Sequence, residues 1–111
     1  MGCVNFSDLT QFLEELRRDH LLVERRLVRI VELEFGYWSS PARYKHLIVT
    51  ARIGQDILQF DRFYGPLTGH HEHDRPYAQA MSSHLVQLQE SCQELGIETR
   101  RGVLEEVTVL A

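Results

Sequence analysis

The residues best suited to chemistry crowd into one short stretch, Gly69-His70-His71-Glu72-His73-Asp74. Its three imidazoles and two carboxylates could ligate a transition metal or carry protons. In extended backbone His71 and His73 point to one side, and His70 and Glu72 to the other. Two imidazoles on one side suit zinc or another divalent transition metal, which needs one or two further ligands. His46, His20 and Asp74 are candidates to supply them through space, His46 first, because a neighbouring strand could bring it alongside. The spacing matches no standard zinc signature, and a solvated polar loop accounts for the same residues.

The remaining reactive groups have structural readings. His84 stands at the edge of a helical apolar stripe, where hydrogen bonding satisfies it. His20 follows Asp19 near a helix end, where a histidine caps carbonyls. The pairs Arg17-Arg18, Arg25-Arg26 and Arg100-Arg101 could bind phosphates, but acids flank each pair and local ion pairing explains them equally. No glycine-rich phosphate loop, Gly-x-Ser-x-Gly elbow or Cys-x-x-Cys pair is present. No catalytic constellation emerges, and the chain reads as more non-enzymatic than enzymatic.

Composition sets the frame for these residues. A chain of 111 residues supports one domain, residues 1–111, with its own hydrophobic core. A hydrophobic fraction of 43% and a charged fraction of 25% are ordinary globular values. No apolar run is long enough for a membrane span. A net charge of −4 argues against general nucleic-acid binding and leaves the Arg pairs as a minor alternative. Cys3 and Cys92 are too few for a disulfide framework, and the lack of a secretory signal pattern points to the cytoplasm.

Glycine and proline divide the chain into elements. Ser7 opens a helix over residues 7–19, with Leu9, Phe12, Leu13 and Leu16 at helical spacing. Residues 21–38 mix two periods, and their β-branched and aromatic content favours a strand. Strands are expected at 46–53 and 57–64, joined by the Gly54-Gln55-Asp56 turn. A second helix carries Ala78, Met81, Leu85, Leu88, Cys92 and Leu95, with Asp74 as its N-cap and Gly96 just beyond its end. Residues 97–100 and 103–110 read as strand or hairpin. The expected fold is α+β in the order α-β-β-β-α-β. Its antiparallel sheet is a three-strand meander plus a C-terminal strand or hairpin, with two helices on one face.

The helix–strand–strand–strand–helix portion resembles a double-stranded-RNA-binding domain in outline. That resemblance implies a lysine cluster at the start of the second helix, where this chain has Asp74-Arg75-Pro76. The first long strand offers apolar residues on both sides: Val28, Ile30 and Trp38 opposite Leu27, Val31 and Phe35. Two helices cannot cover both. A second copy is therefore expected against Val28, Ile30 and Trp38, and the leading expectation is an interaction or regulatory module acting as a homodimer.

Overall fold

The computed structural model describes residues 2–36 and 42–101, with only the backbone of residues 35 and 36. Trp38 and the strand expected at 103–110 lie outside the described residues. The order is β1 (Gly2–Phe6), α1 (Leu9–Asp19), a 3-10 turn (His20–Leu22), β2 (Val23–Gly36), β3 (Arg43–Ile53), β4 (Asp56–Leu67), α2 (His71–Glu94) and β5 (Glu98–Arg101).

The fold is α+β with both helices on one face, as the sequence implies, but the sheet is mixed rather than antiparallel. Its five strands run in the order β1-β4-β3-β2-β5. The meander β2-β3-β4 is antiparallel, whereas β1 joins β4 in parallel and β5 joins β2 in parallel. Only β3 therefore runs against the other four. The expected layout had no β1, and it placed the C-terminal strand without this crossover.

The two parallel crossovers explain why the helices share a face. From β1 through α1 to β2, and from β4 through α2 to β5, the chain moves across the sheet in the same direction. Parallel crossovers have one strongly preferred hand, so equal directions put both helices on the same side. There Leu9, Phe12, Leu13 and Leu16 of α1 meet Met81, Leu88 and Cys92 of α2 over Val28, Ile30, Leu47, Val49, Ala51, Leu58 and Phe60 of the sheet. Phe12 lies with its ring 6.0 Å from Phe6 and 6.3 Å from Phe60, tying α1 to β1 and β4.

The strand reading holds for Val23–Gly36, with Leu21 and Leu22 in the 3-10 turn and residues 37 and 38 outside the described residues, and its alternation assigns Val28 and Ile30 to the helix-covered face. Both are fully buried in the core of the same chain. This corrects the expected interface: α1 and α2 already cover Val28 and Ile30, so neither is left for a second copy. Val31 and Ile48, paired with each other on the opposite face, are also buried.

Local chemistry sets the helix ends. Asp8, not Ser7, caps α1, its Oδ1 accepting the Thr10 N–H at 2.8 Å. At the other end of the core, α2 stops in a Schellman motif. The Ile97 N–H donates to the Cys92 carbonyl at 2.8 Å and the Gly96 N–H to the Gln93 carbonyl at 3.1 Å. Gly96 makes this turn with φ +68°, where a Cβ would be strained.

Two irregularities shape the sheet. Between Val23 and Val28, β2 advances five residues while β3 advances two, and Arg25 and Arg26 take left-handed backbone there. The bulge aims the Arg26 guanidinium at both helix ends. It donates to the His20 carbonyl at 3.0 Å, the Gly96 carbonyl at 3.3 Å and the Leu95 carbonyl. A cation against exposed helix-end carbonyls is favourable in charge and in hydrogen bonding. The second irregularity is in β4, which uses three steps from Tyr64 to Leu67 against two from Arg43 to Lys45. Gly65 makes room for it: a Cβ there would stand 2.9 Å from the Tyr44 ring and 3.1 Å from the Arg43 carbonyl oxygen.

Candidate functional site: sheet edges and the α2 groove

The histidine-rich stretch is helix start rather than extended loop. His70 is the N-cap residue of α2, and His71 and His73 lie in its first turn. One turn of helix separates what extended backbone would align: the rings of His70 and His73 meet edge-on at 5.7 Å, while His71 lines a groove beside Asp74 and Arg75. Asp74 lies inside the helix and does not cap it. Its Oδ1 accepts from the Thr68 N–H at 2.7 Å and the Thr68 hydroxyl at 3.1 Å, and its Oδ2 accepts from the Gly69 N–H at 2.9 Å. These bonds, led by the Thr68 N–H, hold its carboxyl below the usual range.

His46 does not join this group. It alternates with Leu47 and Val49 on β3 and so points to the face away from α2, buried. There its Nε2 is hydrogen-bonded to Asp61 Oδ1, and its ring stacks on Phe63 at 4.0 Å and 13°. His20 is placed elsewhere again, with Nδ1 at 2.7 Å from the Arg17 carbonyl. The ligand set His46, His70, His71 and His73 is thus not brought together. Among the described residues no group of three or more His, Cys, Asp or Glu could hold a metal ion.

The arginine pairs are dispersed over the molecule, and five of their six members are engaged. Arg17 donates to the Ser91 hydroxyl at 3.2 Å, Arg18 pairs with Glu15 at 3.0 Å, and Arg26 clamps the helix ends. Arg100 pairs with Glu98, and Arg101 with Glu32, each at 3.2 Å.

A second polar contact in the helix-covered layer joins β4 to α2. The Tyr64 hydroxyl is hydrogen-bonded to His84 Nδ1, as a boundary histidine requires. Burial pushes the Tyr64 hydroxyl up to about 12, against the opposing pull of Arg62. Burial, reinforced by Arg62 and opposed by Asp8, lowers His84. The phenol and the imidazole share this one bond, and the imidazole tautomer sets which of them donates.

The features the sequence reading missed are at the sheet's margins. β1, Gly2-Cys3-Val4-Asn5-Phe6, has no charged residue and no proline, and pairs with β4 in unbroken register over five positions. Its other side has no partner among the described residues, and its residues are exposed except half-buried Phe6. At the opposite margin β5, Glu98-Thr99-Arg100-Arg101, is charged at three of four positions. Natural sheets guard their edges with charge, proline or bulges, and β1 has none of these. The available signal for β1 was the alternation of Val4 and Phe6 just before the helix cap, which five residues make faint.

A second margin opens where β5 ends. β5 pairs with β2 only at Leu27–Ile30, so β2 beyond residue 30 has no outer partner among the described residues. Beside it a groove of about 550 Å³ runs between the sheet and α2, lined by Glu34, Arg43, Lys45, Leu67, Arg75 and Gln79 among others. It continues into a further 290 Å³ past Glu32, Met81 and Leu85.

The fold and its margins define a two-layer α+β domain with a mixed five-stranded sheet. No family model, curated protein or solved structure matches the chain. No helix among the described residues is long and apolar enough to cross a membrane.

Proposed function

We propose that this chain is a non-enzymatic interaction module that acts as a homo-oligomer, two copies joining through β1. One observation carries the reading: a regular edge strand with neither charge nor proline, on a sheet whose other edge is charged. The occupant is a second copy because β1 is its own complement. Run antiparallel about a two-fold axis at Val4, two β1 strands set Val4 against Val4, Cys3 against Asn5 and Gly2 against Phe6. The pair contains no charge to be desolvated and no like charges in opposition. The backbone N–H and C=O groups on the outer side of β1 would gain partners, and a two-fold contact closes without forming fibres.

Light scattering at tens of micromolar tests the reading. The expected mass is twice the 13.0 kDa chain. A stable single-chain mass would overturn it.

A further inference from the structure

We draw no further inference here: the strongest candidate, the exposed pair Leu21 and Leu22 on the 3-10 turn between α1 and β2, is flanked in the chain by as many carboxylates (Asp19, Glu24) as arginines (Arg18, Arg25), and nothing in the structure shows what covers it.

Discussion

β1 and β5 occupy corresponding places in the molecule. Each is a short strand at one margin of the sheet, each runs parallel to its inner neighbour, and each connects to a helix on the same face. Their side chains differ. β5 carries Glu98, Arg100 and Arg101, all three in ion pairs, Arg100 with Glu98 inside the strand and Arg101 with Glu32 of β2. β1 carries only uncharged residues, with Val4 half exposed. Among the described residues backbone geometry leaves both edges with unpaired groups, and side chains then decide whether another strand is refused or admitted. The comparison teaches that an edge is to be read by what its residues fail to prevent.

The largest expected effect comes from arming the bare edge. Val4→Lys should weaken self-association on the order of 100-fold, since the two-fold axis would bring the new ammonium groups together across the interface. The chain should remain folded, because Val4 is half exposed. Light scattering would show the loss of mass and circular dichroism the retained fold.

The β5 margin should respond in stability rather than association. Arg26 holds the turn that leads into β5 through the Leu95 and Gly96 carbonyls. Arg26→Met should cost about 1.5–3 kcal/mol, the range for hydrogen bonds to a charged group, with the dimeric mass unchanged. Urea unfolding and light scattering together check both halves.

Acid should separate the two margins further. α2 carries the chain from β4 to β5, and its seat includes the His84–Tyr64 hydrogen bond. Because the folded-state value of His84 is lowered from 6.5, the unfolded chain binds this proton more readily. The stabilising contribution is then complete above about pH 6.5 and shrinks as pH falls through the folded value. Arg62 and Tyr64 from β4, and Asp8 at the start of α1, are the charged and titratable groups that act on it. Hydrogen exchange compared at pH 7.5 and 5 should show α2 and β5 loosening before β1, and His84→Gln should flatten that difference.

The smallest effect is expected from Arg100→Ala. It removes one exposed ion pair at β5 and should change stability by less than about 0.5 kcal/mol. The mass should also stay the same, because Arg101 and Glu98 still guard that edge.

Much of the fold was legible in the residues. The stripes Leu9-Phe12-Leu13-Leu16 and Met81-Leu88-Cys92 mark both helices, and alternation in residues 46–53 and 57–64 marks two strands of the meander. The phase of β2 was legible too, but not its consequence. Val28 and Ile30 look like surplus apolar surface until the crossovers place both helices over them. β1 was missed because only Val4 and Phe6 alternate within its five residues, and its pairing with β4 joins segments some fifty residues apart. The histidine stretch misled for a local reason. Helix begins at His71, capped by His70, rather than after Asp74, which changes the side-chain period from two to 3.6 and separates His71 from His73. His46 was placed beside it by sequence order, but the alternation of β3 sends it to the opposite face.

The most direct test of joining through β1 uses the chain's own cysteines. Cys3 is exposed, while Cys92 is buried and burial pushes its thiol up to about 11, so a thiol-specific nitroxide at pH 7 marks Cys3 alone. Cys3 alternates with Val4 and so projects from the face of β1 away from the helices, clear of the edge. In antiparallel strands centred on Val4, the two Cys3 Cα atoms lie about 8 Å apart, from the strand spacing and the rise of two residues. The account predicts a nitroxide separation within about 20 Å, lost on mixing with excess unlabelled chain. A dimeric mass without that short distance, or a single-chain mass at the same concentration, would contradict it.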